Sequence, residues 1–188
     1  MNNIENLVAG LSYDPFNPPL NFACAAEYEK LNQMASAISF YLRTAEYGYD
    51  THHDFVYASL LKMANCYENQ KNRQWTVSNT LLQAISYMPQ RPEAWFLLAR
   101  FHERAGNWQE AYSFASTGLL YSGVNNSMLP ADVEYPGEYG LLFEKYVCGW
   151  WIGRKEESIN GFIKLLDEYS MSQSFIDACI SNLERIRK

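Results

Sequence analysis

Two arginines are the residues of this 188-residue chain whose spacing most directly suggests recognition chemistry. Arg100 and Arg104 lie four positions apart, so on a helix they would share a face and could together hold a carboxylate. On an ordinary solvated face they would instead pair with Glu103 or Glu110. The spacing leaves both interpretations open.

The sequence THHDF, residues 51–55, is the cluster that most resembles a set of metal ligands. Adjacent histidines do not point at one site on a helix. We interpret the cluster as a connector in which Thr51 or Asp54 caps the next helix. The four cysteines form no C-x-x-C pair, which would indicate a zinc site or a redox dithiol. We therefore expect no cofactor, and we interpret the cysteines as small core residues in a reducing compartment.

Catalytic patterns are missing from the sequence. It contains no phosphate-binding glycine loop, no nucleophile elbow and no H-E-x-x-H motif. Three carboxylate pairs occur, and nothing in the sequence places any of them in a pocket: Glu27/Glu29, Asp132/Glu134 and Glu156/Glu157. His102 is interpreted as a core histidine. We predict that the protein is not an enzyme.

The aromatic sequence CGWW, residues 148–151, permits two interpretations. Exposed tryptophans could stack on a ligand or a sugar. Aromatic residues at such a position also fill the core of a helical hairpin, which is the interpretation we favour.

Composition limits the class of protein. Hydrophobic residues make up 48% of the chain and aromatic residues 15%, enough for a well-packed core. The net charge of −6 argues against a nucleic-acid surface and against a polybasic membrane surface. No apolar run reaches about 18 residues, and the first residues lack the pattern of a signal peptide. We expect a cytoplasmic protein with neither nucleic acid nor membrane as a partner.

The stretch EAWFLLARFHERAGNWQEAYSFA, residues 93–115, predicts two packed helices. The shared face of the first is Trp95, Leu98, Ala99 and His102, and that of the second is Ala111, Ala115 and Gly118. Gly106 can end the first helix in the left-handed conformation, and Asn107 can cap the second. Pro92 suits a first helical turn. We expect the small residues to let the helices approach closely.

The same two-helix plan recurs along the chain. Ala64 and Ala99 lie 35 residues apart, and Ala25 and Ala64 lie 39 residues apart. We predict hairpins over residues 18–48, 54–89, 92–122 and 138–168, with a final helix over residues 172–187. The linker over residues 123–137 is long, turn-rich and acidic, and such loops are often functional or disordered.

These hairpins resemble the tetratricopeptide repeat (TPR), whose pattern of small and aromatic residues returns about every 34 residues. The resemblance is clearest over residues 92–118 and covers most of the chain. It implies an all-α fold: an α-solenoid of about four antiparallel hairpins with a capping helix, as one domain over residues 1–188.

The resemblance also implies a groove lined by the first helix of each hairpin, in which a peptide or protein segment binds. The groove-facing positions would be Phe22, Ala26, Lys62, Asn65, Phe96, Arg100 and Arg104. The carboxylate clamp of the family needs a lysine and an asparagine on the first repeat. Phe22 and Ala26 occupy those places, so we do not expect that clamp here.

We predict a non-enzymatic scaffold for protein–protein interaction. Two alternatives stay open. The run DVEYPGEYGLLFEKY, residues 132–146, resembles helical-repeat tails of some bacterial and viral glycosyltransferases, so the chain could be an accessory domain of a sugar-transferring system. It could also assemble with copies of itself through exposed aromatic residues.

Overall fold

The computed structural model describes residues 3–186, and over that range the chain is helical and contains no strand. The ten helices of this range are α1 (Asn3–Tyr13), α2 (Pro18–Lys30), α3 (Met34–Gly48), α4 (His53–Asn69), α5 (Gln74–Tyr87), α6 (Pro92–Arg104), α7 (Trp108–Leu119), α8 (Glu138–Trp151), α9 (Lys155–Glu168) and α10 (Gln173–Ile186). The predicted all-α class is confirmed.

Within each unit the helices pack in chain order. α2 pairs with α3, α4 with α5, α6 with α7, and α8 with α9, which gives the four hairpins of the predicted class. α10 packs on α9 as the expected final helix, although its predicted last residue, 187, lies outside the described residues. α1, which packs on α2, is a helix that the sequence analysis did not predict.

The chain divides into two compact units. Unit 1 comprises Met1–Pro89 with Asn126–Val133, and therefore contains α1 to α5. Unit 2 comprises Gln90–Asn125 with Glu134–Lys188, and contains α6 to α10. The single domain expected over residues 1–188 stays a prediction.

The breaks between helices follow from the turn residues. Gly106 has φ of 76° and Gly153 has φ of 88°, so both end a helix in the left-handed region as glycine readily does. Pro92 begins α6, as predicted. Asn107 does stand at the N-cap of α7, but its side chain makes no cap hydrogen bond; its amide lies 3.3 Å from Nδ1 of His102 instead.

The core of unit 1 forms where α2, α3 and α4 meet. Its buried members are Phe22, Ala25, Ala37, Tyr41, Ala58, Met63 and Cys66. The Phe22 ring meets the rings of Tyr41 and Phe55 edge-on, each at 5.3 Å between centroids. Alanines on all three helices let the backbones come close around these rings.

Unit 2 has two apolar layers. In the first, Ala99, Ala111 and Ala115 are fully buried, which confirms the predicted close approach of α6 and α7. Gly118 is just as tightly placed, since a Cβ there would lie 2.8 Å from Cβ of Trp95. The second layer joins α8, α9 and α10 through Tyr146, Phe162, Leu165, Cys179 and Leu183.

All four cysteines are free and buried, as expected of core residues. Burial raises the pKa of the Cys179 thiol to about 11 and that of Cys66 to about 12, so neither is a ready nucleophile. None of the described helices is both long and apolar enough to cross a membrane.

Gly161 tests the packing of α8 on α9. A Cβ at Gly161 would lie 2.4 Å from the Tyr146 ring, whereas a Cβ at Gly10 of α1 would make an ordinary 3.5 Å contact with Leu20. We expect Gly161→Ala to destabilise the protein by about 1–3 kcal/mol despite the better helix propensity of alanine. Gly10→Ala, the matched control, should stabilise it by about 0.5–1 kcal/mol. Urea denaturation followed by circular dichroism measures both; equal effects of the two substitutions would contradict the packing account.

Candidate functional site

In each unit, the first helices of neighbouring hairpins lie side by side. α2 contacts α4 in unit 1, and α6 contacts α8 in unit 2. We call these surfaces the α2/α4 face and the α6/α8 face. All the groove positions named in the sequence analysis lie on α2, α4 or α6.

On the α2/α4 face the predicted residues have different surroundings. Phe22 is only 5% exposed and belongs to the core cluster of unit 1, and its contact with a partner stays a prediction. The ring is buried because Tyr41 and Phe55 pack against it. Lys62 and Asn65 are partly buried. Their contact with a partner, like that of Ala26, stays a prediction.

Lys62 has a carboxylate within its own unit. Its Nζ lies 3.4 Å from Oε1 of Glu29, and the Tyr41 hydroxyl donates to Oε2 of Glu29 at 2.6 Å. Burial, together with Glu29, raises the pKa of Tyr41, so the phenol keeps its proton and remains the donor. The carboxylate of Glu29 therefore holds α2, α3 and α4 together.

On the α6/α8 face, Phe96 is 1% exposed, and its contact with a partner stays a prediction. Tyr135 packs on it with ring centroids 5.6 Å apart, and a Cβ at Gly140 would lie 3.0 Å from its ring. Arg100 lies over the same ring at 5.9 Å and remains partly exposed. Arg104 is exposed at the end of α6. Binding of a partner by Arg100 and Arg104 stays a prediction.

The residues that cover these faces come from the chain itself. We call residues 126–137 the connecting segment; they contain no helix or strand. In unit 1, Leu129 and Ala131 pack on the core cluster that contains Phe22. The Ser127 hydroxyl donates to both carboxylate oxygens of Asp54, at 2.9 and 2.8 Å. This part of the connecting segment thus makes both polar and apolar contacts within unit 1.

In unit 2 the connecting segment meets α6 and α8. Oε2 of Glu134 lies 3.6 Å from Nη1 of Arg100, so the carboxylate expected for this arginine is supplied within the chain. Tyr135 packs on Phe96, and Pro136 lies against Gly140, where a Cβ would come within 2.4 Å of Cγ of the proline. The sequence Glu-Tyr-Pro therefore places a charge, a ring and a proline on successive points of this face.

Two features of this contact are unfavourable. Glu134 has φ of 60°, a left-handed conformation that costs a residue with a side chain about 1 kcal/mol. The Tyr135 hydroxyl is buried without a hydrogen-bond partner among the described residues, which costs about 1–3 kcal/mol. The connecting segment therefore fits the α6/α8 face in shape and charge but fills it at some energetic cost.

Glu144 on α8 is a buried carboxyl near both arginines. It borders a small cavity of about 280 Å³. The other lining residues are Arg100 of α6, Phe143 of α8, and Ser174, Phe175 and Ala178 of α10. Its Oε2 has no hydrogen-bond partner among the described residues. Burial, reinforced by the nearby Glu103 and opposed by Arg100 and Arg104, raises the pKa of Glu144 to about 8. At neutral pH it is therefore mostly protonated and competes little with Glu134 for Arg100.

The other candidate clusters make structural contacts. In residues 51–55 the N-cap of α4 is His52, not the predicted Thr51 or Asp54, because the helix begins at His53, which leaves Asp54 inside its first turn. Asp54 accepts the Ser127 hydroxyl, and Thr51 bonds to Nδ1 of His52. Within residues 3–186, no group of three His, Cys, Asp or Glu side chains could hold a metal ion. Glu157 lies 2.7 Å from Nζ of Lys145.

Trp150 and Trp151 line a cavity of about 460 Å³ with Trp108, whose ring stacks on Trp151 at 5.2 Å. Cys148 and Gly149 are buried. The CGWW sequence therefore has one half in the core and one half on a cavity wall. His102 is half-buried against Phe114, and burial lowers its pKa.

Sequence reasoning missed three residues that matter at these faces. Asp54 was assigned to helix capping, Tyr135 lay in a linker without a periodic pattern, and Glu144 was not singled out. The Glu-Tyr-Pro sequence inside an acidic linker was the available signal for Tyr135, because an aromatic residue in such a loop needs a surface on which to pack.

Glu144 gives the protein a specific dependence on pH. The folded chain keeps this proton up to about pH 8, whereas the unfolded chain releases it near the usual value of 4.5. The folded state binds more protons across that window, so the contribution of Glu144 to stability falls as pH rises from 4.5 to 8. Glu144→Gln removes this loss. We expect its melting temperature to exceed that of the wild type at pH 8 and to differ little at pH 4.5.

The exposed Glu184 of α10 provides the control, since Glu184→Gln removes the same charge at the surface. Thermal melts of the wild type, Glu144→Gln and Glu184→Gln at pH 4.5 and pH 8 measure the melting temperatures to be compared. A difference between Glu144→Gln and wild type that does not grow with pH would contradict the assignment.

Comparison with known proteins gives the fold a context. No family model matches the chain. The regulatory protein RapF of Bacillus subtilis (strain 168) is 29% identical over 100 residues, which is 53% of this chain. The match spans 24% of the length of RapF, about a quarter of that protein.

Solved structures match over a larger share. The crystal structure of MamA has a TM-score of 0.66 at 13% identity and covers 87% of this chain and 85% of its own. The structure of PilW, described as a widely conserved type IV pilus biogenesis factor, has a TM-score of 0.68 at 16% identity, covering 93% of this chain and 72% of its own. Both are TPR-containing proteins. With its hairpins in series, this chain therefore has a TPR-like helical-repeat fold.

Proposed function

We propose that the chain is a non-enzymatic scaffold whose α2/α4 and α6/α8 faces each bind an extended segment of a partner protein. One observation carries the proposal: a stretch of extended chain already lies on the α6/α8 face, and in unit 1 the same segment contacts α4, through particular side chains. Ser127 bonds to Asp54, Glu134 pairs with Arg100, and Tyr135 packs on Phe96. A surface that accepts an extended segment of its own chain has the shape and polarity to accept a similar one from a partner.

The charge on α6 supports an acidic segment as the ligand. The chain as a whole carries a net charge of −6, yet Arg100 and Arg104 place two cations near the α6/α8 face. A guanidinium binds a carboxylate with defined geometry. The TPR-like fold supports the same class of function, because stacked helical hairpins form extended binding surfaces.

The two arginines provide the test. We expect the Arg100→Ala/Arg104→Ala variant to lose affinity for the captured partner by at least about tenfold, since each removes a charged contact. Affinity capture with tagged wild-type and variant chains identifies the partner, and titration then measures the affinity.

Lys155→Ala/Lys164→Ala, which removes two cations from the exposed side of α9, is the matched control and should bind as wild type does. Circular dichroism must show that both variants are folded. A folded arginine variant with full affinity would refute the assignment of these residues.

Self-association is a second candidate, favoured by one observation on unit 1. Trp75 is 81% exposed on α5 and lines a trough of about 740 Å³ with Leu60, Met63, Tyr67 and Leu82. An exposed apolar surface of this kind is typical of a protein–protein contact.

If a second copy covers this trough, light scattering of the wild type at high concentration shows a dimer, and Trp75→Glu restores the monomer. The exposed Glu46→Gln serves as a surface control. A wild-type chain that is monomeric at millimolar concentration would remove this candidate.

A further inference from the structure

The connecting segment meets the α6/α8 face in the way that a bound peptide meets its receptor. Its residues 134–137 contain no helix or strand. Its contacts use a different kind of side chain at each point: the Glu134 carboxylate at Arg100, the Tyr135 ring at Phe96 and Pro136 at Gly140. Gly137, with φ of 99°, then turns the chain into α8.

We infer that the connecting segment is a built-in occupant of the α6/α8 face that a partner can displace. The partner is an extended acidic segment that presents a carboxylate next to an aromatic ring. This inference rests on the proposed function and specifies both its ligand and its regulation. The partner replaces Glu134 at Arg100 and Tyr135 at Phe96. Displacement then frees the connecting segment, so that binding is coupled to its release.

The contact is one that can be displaced. Glu134 adopts a left-handed backbone to reach Arg100, and the Tyr135 hydroxyl is buried without a partner among the described residues. Both features weaken the intramolecular contact relative to a segment that binds without strain and carries phenylalanine in place of tyrosine. Met128 is 94% exposed, so the segment is anchored at separate points and not along its whole length.

Covalent connection compensates for this weakness. A segment joined directly to α8, one of the helices that it contacts, is present at an effective concentration on the order of millimolar. Even a modest intrinsic affinity then keeps the face mostly occupied. The apparent affinity for an outside segment is the intrinsic affinity multiplied by the small fraction of molecules whose face is free. The connecting segment thereby excludes weak ligands and admits those that bind the face better than it does.

The local charge distribution fits an acidic occupant. Arg100 contacts Glu134 and lies over the Phe96 ring, so the cation and the ring form one composite site. Arg104 lies one turn further along α6 and faces the same direction. Glu93 and Glu138 lie near Tyr135, and Glu103 lies near both arginines. At the position of Glu134, however, a cation would lie opposite Arg100, so a carboxylate is the better match at this point.

A peptide with the sequence of residues 126–137 serves as the probe, because it carries the chemistry that the faces already bind. The labelled peptide is titrated by fluorescence anisotropy into full-length wild type, Tyr135→Ala and Tyr135→Phe. We expect Tyr135→Ala to bind it at least about tenfold more tightly than wild type, since releasing the connecting segment opens the face. Tyr135→Phe keeps the ring and loses only the unpartnered hydroxyl, so it should bind no more tightly than wild type.

Charge provides an independent variant if Tyr135→Ala does not fold. Glu134→Lys lies at the surface and places a cation opposite Arg100, so it should also bind the wild-type peptide more tightly than the wild-type chain does. A peptide carrying the same Glu134→Lys change should lose that gain, because its lysine would meet Arg100. Circular dichroism decides which variant is used.

Equal affinity of all the folded chains for the peptide would overturn the inference. So would the absence of peptide binding to both Tyr135→Ala and Glu134→Lys at millimolar concentrations. A Tyr135-dependent dimer of the wild-type chain would also overturn it, by assigning the segment to a second copy. These results are distinct from failure of the proposed function. Peptide binding without any captured partner would remove the scaffold role alone, whereas a partner captured equally by wild type and Tyr135→Ala would remove the displacement alone.

Discussion

The structure depends on the close approach of helices through small side chains. A single amphipathic hairpin cannot bury its apolar side alone, so each hairpin relies on its neighbour for a core. Alanines at buried positions of α2, α3 and α4, and of α6 and α7, allow this approach. Even a methyl group would collide with the Tyr146 ring at Gly161, and with Leu141 and Cβ of Trp95 at Gly118. Aromatic rings fill the volume between the closely spaced backbones. Within each unit the first helices of the two hairpins thereby lie side by side, which creates the α2/α4 face in one unit and the α6/α8 face in the other.

The connecting segment turns these faces from open surfaces into occupied ones. Its contacts are polar and specific at Asp54 and Arg100, and apolar at the core cluster of unit 1 and at Phe96. Loops of this length inside a helical array are uncommon, and function is one of the usual reasons for retaining them. Here the acidic and aromatic residues of the loop match the surfaces on which they lie. Contacts of Glu134 and Tyr135 therefore hold the connecting segment in place, and the same two residue types are those expected of a partner.

The periodic part of the sequence predicted the fold well. Helix spacing around Ala64 and Ala99, the break at Gly106 and the first-turn position of Pro92 are local signals, and local signals survive in the folded chain. The predicted burial of the cysteines succeeded for the same reason. α1 was not predicted, because its short apolar pattern was considered only as a targeting signal.

The site was harder to predict because it depends on contacts distant in sequence. Phe22 and Phe96 follow the register of first-helix positions, yet both are buried by residues that no periodic pattern connects to them. Tyr135 covers Phe96 from 39 positions away, and Ser127 meets Asp54 from 73 positions away. Glu144 was overlooked since a glutamate in a helix is ordinarily solvated, and only the packing of α6 and α10 around it produces a buried carboxyl.

We propose that Tyr135 occupies the α6/α8 face in the free chain and leaves it when the partner binds. The most direct measurement is fluorine NMR of a chain carrying 4-fluorophenylalanine at position 135, a substitution that keeps the ring and replaces only the unpartnered hydroxyl with a single fluorine. The account predicts one signal at a buried chemical shift in the free chain, and a move to the solvent-exposed shift when the partner is saturating. A solvent-exposed signal in the free chain, or a buried signal unchanged by the bound partner, would contradict it.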